Sequence, residues 1–513
     1  MNYLFTTLNY KPMRKRIFAR CIRIQRCITL ILLSAMLFSC SKSDDDGGDN
    51  NGSTGQDNTP TETGPTQAEK YGITYLYDEK YVPKIHVEVT LEEWNSLLAA
   101  YDKDKNTNHT IHCDVKYVKG AEITTIKDAG LRIRGRATRK RPEGKTGEMH
   151  KSVDTDWNRC HFQINFRKFV KDDAHTVHGA RKILLRWNHA DPTYVREVFS
   201  YDLFRRAGAF TGTNAAHCRL YIKVEGDPKE TYYGVYAMVE PIDDEYVKVR
   251  KNEFGSSKGN LWKCRHKATL SPDSNYKDAN IGKDNDKGKE YMYELKTNLD
   301  DFVTAKAQLN NFITQFNTLE GKAFKEWIQK ACDVRLLLRT YAVNVCLGMW
   351  DDYWNNRNNF YIYFNSTNPT NYKFYFIPFD YDNSLGNCAT RNDNEDQGRH
   401  DPFNWGPKDR PLIWKIIQIE EFRKMYAEEL MRVVNDAEDL MHPNDATKRV
   451  QRWQARIAEM IKNDTGEDCK MEDRPTGGST HKEYKLATIN ENNFFKVKRE
   501  SVLYWCDYYG LKD

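Results

Sequence analysis

Asp351, Asp352, Asp380 and Asp382 stand at the two ends of a stretch that otherwise reads as two short strands, "GMWDDYWNNRNNFYIYF" and "YKFYFIPFDYDNSLG". Carboxylates and asparagine amides crowded into one place repel one another and hold water, unless a positive charge lies between them. These side chains present oxygen, the donor that hard divalent cations prefer. Metal-assisted chemistry is therefore what the set can do, provided the chain brings its two ends together. The strings G-x-x-x-x-G-K-[ST] and H-E-x-x-H are absent, which removes the P-loop and zincin readings.

The elements around these residues are expected to bring the ends together. "NSTNPTN", between "FYIYF" and "YKFYFIPF", is a turn by its Asn, Ser and Pro content. In an antiparallel pair the start of one strand lies beside the end of the other, so the acids before Phe360 and those after Phe379 should meet. Upstream, "KIHVEVT", "GLRIRGR", "CHFQINF", "KILLRW", "CRLYIKV" and "YYGVYAMVE" are β-rich runs bounded by Gly, Asp and Pro. Thr90 and Glu93 have capping-box spacing, and "PTYVREVFSYDLFRRAG" reads as a helix starting after Asp191 and stopping at Gly208. The second half carries apolar residues at three- and four-residue spacing in "DDFVTAKAQLNNFITQFNTL", "KAFKEWIQKA", "DVRLLLRTYAVNVCLGMW", "PLIWKIIQIEEFRKMYAEELMRVV", "ATKRVQRWQARIAEMIKND" and "FFKVKRESVLYWCDYYGL". A strand-rich half followed by a helix-rich half implies an α+β protein, two-lobed with a cleft between the lobes.

Asp351 is followed five positions later by Asn356, and the strand pair then ends in Asp380. The catalytic loop of protein kinases has this D-x-x-x-x-N spacing, ahead of a strand pair that ends in a metal-binding Asp. The order suits phosphoryl transfer, which needs cations on the phosphates and a carboxylate to orient the attacking hydroxyl. Asp351 would orient that hydroxyl, while Asn356 and Asp380 would hold Mg²⁺; Asp382 would share a face with Asp380 only if the chain stays extended there.

The paired strings "WDDYWNNRNNFYIYF" and "FIPFDYDNSLG" resemble the signature of the spore-coat protein H (CotH) kinase family. Further stretches agree in order: "LRIRGRATR", "DPTYVREVFSYDLFRRAG", "YYGVYAMVE", "GNLWKC" and "YELKTN". The resemblance covers roughly position 84 to the C-terminus. It implies an atypical, secreted protein-kinase-like fold and Mg²⁺-dependent transfer from ATP to protein side chains. Asp351 then falls on the catalytic Asp, Asn356 and Asn359 on the loop asparagines, and Asp380 and Asp382 on the metal-site acids. For the phosphate side the candidates are Arg134, Gly135 and Arg136 in the first Gly-containing strand-loop and Lys263 in "GNLWKC", with Glu240 to orient one of them. Arg159 is a further candidate, standing with Cys160 where relatives carry a lysine pair; Arg grips phosphate bidentately but does not simply replace Lys.

Basic residues Lys11, Arg14, Lys15, Arg16, Arg20, Arg23 and Arg26 precede the short apolar run "CITLILLSAMLFS", a secretory signal by its grammar. "LFSC" resembles the lipobox of bacterial lipoproteins, with Cys40 as the lipidated residue. Asp44 to Asp46 just after it resemble a surface-export signal of Bacteroidota. The expected organisation is a signal peptide (1–39), a flexible tether without large apolar residues (40–68) and a kinase-like domain (69–513). Loss of the seven basic residues takes the formal net charge from +5 to −2, so overall charge offers a nucleic-acid partner no support. The cysteines after Cys40 are scattered and form no C-x-x-C pair, against a zinc site or a regular disulfide framework. The expectation is an outer-membrane lipoprotein, anchored only by the lipid on Cys40 and acting on protein substrates at or outside the cell surface. The alternative, from a different class, is a non-catalytic adhesion or glycan-binding protein that keeps the fold.

Overall fold

The computed structural model describes residues 67–152, 156–284, 289–387, 396–435, 437–476 and 483–512. The expected signal peptide, Cys40 and the tether as far as residue 66 lie outside these. Seven strands, β1 (Lys84–Val89), β2 (Ile111–Lys119), β3 (Glu122–Arg134), β4 (His161–Asn165), β5 (Lys182–Trp187), β6 (Ala215–Val224) and β7 (Thr231–Val239), close into a barrel. Its order is β1-β2-β3-β4-β5-β7-β6, and the parallel pairing of β1 with β6, from Lys84 opposite Arg219 to Val89 opposite Val224, completes the ring. The two-residue period of a strand puts Ile111, Cys113, Val115 and Tyr117 of β2 inside while the residues between them face outward. Closure leaves none of these strands an open edge.

Thr90 Oγ1 accepts a hydrogen bond from Glu93 N at 3.2 Å and starts the helix Leu91–Lys103, which buries Trp94, Leu97 and Leu98. Only that half of the capping box forms. The Glu93 carboxylate accepts from His112 N at 3.0 Å and ties the helix to β2 instead. The helix expected just after Asp191 begins later, at Arg196. The Asp191 carboxylate accepts from Thr193 N at 3.0 Å and Arg196 N at 2.9 Å, so a side-chain-closed turn takes up the intervening residues. That helix, Arg196–Arg206, ends ahead of Gly208 at φ +71°.

A second sheet of five strands is formed by β8 (Asn260–Cys264), β9 (Ile281–Lys283), β10 (Tyr293–Leu295), β11 (Phe360–Phe364) and β12 (Phe374–Pro378), in the order β12-β11-β8-β10-β9. The hairpin is thus extended on its β11 side by β8, a strand roughly a hundred residues earlier in the chain. Helices Phe302–Thr318, Gly321–Ala331, Val334–Cys346, Glu420–Val434, Pro443–Ile457 and Phe494–Tyr508 follow the periodic runs. One run divides: between Pro411 and Val434 the chain forms a turn of helix, a 3-10 turn at Ile416–Gln418 and an extended Ile419 before helix Glu420–Val434. That break buries Ile416 and Ile417. Both strands and helices are present in the proportions of an α+β protein. The eight described cysteines after Cys40 are free thiols, and no described helix is long and apolar enough to cross a membrane.

Candidate functional site

The register of the hairpin builds the site. Phe360 pairs with Pro378, and one step beyond the ladder Phe379 N donates to Asn359 O at 3.1 Å. Asn358 and Asp380 therefore come together at the hairpin mouth. Arg357, Asn359, Asp380 and Leu385 there have positive φ, between 52° and 67°, a conformation non-glycine residues adopt at a cost and which clusters at functional sites.

The two leading acids face different surroundings. Asp352 is 5% exposed and caps the helical turn Tyr353–Asn356, its Oδ1 accepting from Asn355 N at 2.7 Å. Its Oδ2 accepts from Asn344 Nδ2 at 2.5 Å, and Asn344 Oδ1 accepts from the Tyr381 hydroxyl at 2.8 Å, joining both ends of the hairpin to helix Val334–Cys346. Burial, against these hydrogen bonds and with some repulsion from Asp351, pushes the Asp352 carboxyl up to about 7. An unfolded Asp titrates near 3.9, so the folded state binds the extra proton. The stability this proton contributes is complete below about pH 4 and is lost as pH rises through 7. Asp352→Asn is therefore expected to lessen the loss of stability between pH 5 and pH 8 by about 1.4 kcal/mol or more, the worth of one pKa unit. Urea unfolding of both proteins at the two pH values checks this, and equal losses would refute it.

Asp351 is only partly buried. Its carboxylate accepts from Asn356 Nδ2 at 2.5 Å, Asn358 Nδ2 at 3.1 Å and Asn359 Nδ2 at 2.9 Å. Burial raises its pKa and the neighbouring Asp380 adds to this, while the three amides oppose them. Asp380 precedes a 3-10 turn, Tyr381–Asn383, and its N–H donates to the Tyr201 hydroxyl at 3.0 Å. The chain is not extended here, yet the turn still aims Asp380 and Asp382 at one cation, the guanidinium of Arg186 on β5. Arg186 reaches Asp380 through Nη2, lies 3.4 Å from Asp382 and has Nε 2.9 Å from Glu197. Burial holds Asp382 well above the usual carboxylate range, with Asp380 adding and Arg186 opposing. Burial likewise pushes Glu197 up to about 7.

A cationic wall stands near these acids. Arg134, at the end of β3, lies within electrostatic reach of Asp380 and Tyr361. Lys263 on β8 pairs across the ladders with Glu294 and Tyr361, its ammonium 5.9 Å from the Tyr361 ring. Burial lowers the pKa of both, and like charges lower that of Lys263 further, Arg265 and Arg134 foremost. Arg265 and Lys296 are each neutralised by Glu294, at 3.0 and 3.1 Å. No carboxylate lies within ion-pairing distance of Arg134 or Lys263 among the described residues. Gly135 follows at φ +102°, a left-handed turn in which a Cβ would lie 3.1 Å from Arg139 N. Arg136 is exposed, its Nε 3.8 Å from Glu290.

Two expected phosphate-side residues are placed elsewhere. Arg159 is fully buried between the Tyr194 and Tyr236 rings and donates to the Tyr194 hydroxyl and Val235 O. Because its guanidinium is enclosed by barrel strand β7 and Tyr194, it does not reach the acids. Glu240 orients none of Lys263, Arg134 or Arg136; it forms a two-pronged pair with Arg250 at 2.8 and 2.7 Å and accepts from Asn214. Arg186, Glu197 and Asn358 were not anticipated. The one readable signal was the arginine that follows the apolar run of "KILLRW", since a cation set among apolar strand residues requires a buried partner. The string Gly255-Ser256-Ser257-Lys258-Gly259 matches a nucleophile-elbow pattern, but it leads into strand β8 and lacks the strand-to-helix context of that motif.

Among the described residues no group of three or more His, Cys, Asp or Glu side chains is arranged to hold a metal. The carboxylates of Asp380 and Asp382 converge on the Arg186 guanidinium, and the Asn356 amide stands one contact away, donating to Asp351. Such a set fits Mg²⁺, which is bound by one or two carboxylates and retains waters.

These features define an α+β protein with an acid–asparagine site at a hairpin mouth beside a cationic wall. The chain belongs to the CotH family: the family described as CotH kinase protein matches residues 131–493, which include every site residue named above. It is similar to the inner spore coat protein H of Bacillus subtilis (strain 168), at 26% identity over 293 residues that cover 55% of this chain and 71% of that protein.

Proposed function

We propose that this chain is a kinase-like phosphotransferase with its site in a cleft between two lobes, carried outside the cell as an outer-membrane lipoprotein through Cys40. The observation that carries this reading is the Asp351 carboxylate held by Asn356, Asn358 and Asn359 beside Asp380, with Arg134 and Lys263 outside ion-pairing distance of every carboxylate among the described residues. Asp380, Asp382 and Asn356 would hold Mg²⁺, which when bound neutralises the charge of ATP phosphates. Arg134 and Lys263 would bind phosphate oxygens. Asp351 would accept the proton of a protein hydroxyl as its oxygen bonds the terminal phosphorus and ADP leaves. Its three amide donors keep that carboxylate in one orientation, which is most of what a protein contributes to this reaction. A second, non-catalytic reading as a surface adhesion or glycan-binding protein draws on Arg186, which sits against both metal-site acids.

The test is transfer of label from γ-labelled ATP in the presence of Mg²⁺ to proteins of the same cell surface, run beside Asp380→Ala. Label dependent on Asp380 and on Mg²⁺ is expected. Equal labelling by both proteins, or none by either, would overturn the kinase reading.

A further inference from the structure

Arg186 is a cation fixed within the acid cluster, and its surroundings are unevenly satisfied. Its Nη2 bonds Asp380 and lies 3.4 Å from Asp382. On the other side its Nε lies 2.9 Å from Glu197 Oε2, within ion-pair range, yet Arg186 Nε and Glu197 Oε1 are both buried without a hydrogen-bond partner. The side chains of Arg186 and Glu197 are 15% and 7% exposed. Burying an ionic group without its hydrogen bonds is costly, so a donor without a hydrogen bond beside a carboxylate with one unpartnered oxygen marks a pair that is incompletely made in this arrangement. A guanidinium and a carboxylate have matching two-pronged geometry, and a small rotation of Arg186 about its own stem would complete it.

We propose that Arg186 is an exchangeable internal cation: it pairs with Asp380 and Asp382 when no metal is bound, and it moves fully onto Glu197 when a divalent cation takes its place. The inference rests on the reading of Asp380 and Asp382 as metal-site acids, and it gives Glu197 the role of a docking position for the displaced guanidinium. No bond is made or broken in the exchange. One ion pair replaces another: the divalent cation matches the two carboxylates of Asp380 and Asp382, and the released guanidinium matches Glu197. Arg186 is thus a positioning residue that sets metal affinity, and the acids it releases are those the nucleotide's cation would need. The converse role, in which Arg186 only holds the carboxylates in position for the metal, predicts the opposite sign for its removal.

Binding of Mn²⁺ alone to the full chain, followed by electron paramagnetic resonance of the free ion without nucleotide, separates the two roles. Arg186→Met removes the competitor and is expected to tighten Mn²⁺ binding tenfold or more. Unchanged or weaker binding would overturn the proposal, as would absence of binding in both proteins. Should Arg186→Met fail to fold, Glu197→Gln decides: it keeps the side chain's shape but removes the charge that receives the guanidinium, so Mn²⁺ should bind at least threefold more weakly, and unchanged affinity would overturn the exchange. Phosphoryl transfer is measured separately on the same proteins. Tighter Mn²⁺ binding by Arg186→Met without labelled product from any protein would sustain the exchange while removing the kinase reading.

Discussion

Asp351→Asn is expected to lower the rate of phosphoryl transfer by roughly 10²–10⁴-fold, the usual worth of a positioned proton acceptor. The substitution keeps the side chain's size but replaces one of its acceptor oxygens with an amide nitrogen. Three amides, from Asn356, Asn358 and Asn359, donate to that carboxylate, so at least one would then face another donor. The loss should appear in the rate at saturating ATP, because the proposed nucleotide contacts, Arg134 and Lys263, are untouched. Initial velocities and a thermal melt of the same preparation check this together. Undiminished transfer by a folded variant would remove Asp351 from the role of proton acceptor.

Asp202→Ala carries the largest expected effect on stability, a loss of about 3–5 kcal/mol, because it strands a buried arginine. Arg449, 1% exposed, donates to Asp202 Oδ2 at 2.6 Å, and Arg206 donates to the same oxygen at 2.6 Å. Among the described residues only the half-exposed Asp439, at 3.2 Å, would remain as a carboxylate for Arg449. Burial raises the Asp202 pKa, but Arg449, Arg206 and Arg205 together overcome it and leave the carboxyl below its usual value. A depressed folded pKa contributes stability that is present above the unfolded value near 3.9 and is lost as pH falls through the folded one. The gap between wild type and variant should therefore persist at neutral pH and narrow below about pH 4. Denaturant unfolding measures it, and a loss under 1 kcal/mol at pH 7 would refute the assignment. Arg449→Met added to Asp202→Ala should recover part of the loss, since it removes the stranded charge.

The hairpin was legible because two local signals agreed: alternating aromatic strands and a turn rich in Asn, Ser and Pro. From that pairing the meeting of Asp351, Asn356 and Asp380 follows without further information. Most barrel strands were also legible from their residue types, although "IHCDVKYVK", now β2, was not read as one. The split at Ile419 was hidden because helix, 3-10 turn and junction share apolar spacing. The phosphate side was only half legible. Arg134 and Lys263 were separable from Arg159 and Glu240 only by knowing which carboxylates and rings surround each of them.

By itself the sequence determined the α+β character, the family, and the acids that converge, since these depend on strand period, turn chemistry and spacing along one hairpin. Tertiary structure alone decided that the strands close into a barrel and that β8 joins the hairpin's sheet. It also decided that Asp352 is a buried cap while Asp351 stays partly exposed within a ring of asparagine amides, because adjacent residues differ only in what the fold places beside them. Above all it set Arg186 between Asp380, Asp382 and Glu197, which lie between 11 and 196 positions away along the chain. Long-range Coulomb pairing of that kind leaves no periodicity to read, because the energy depends on distance in space and on burial, not on separation in sequence.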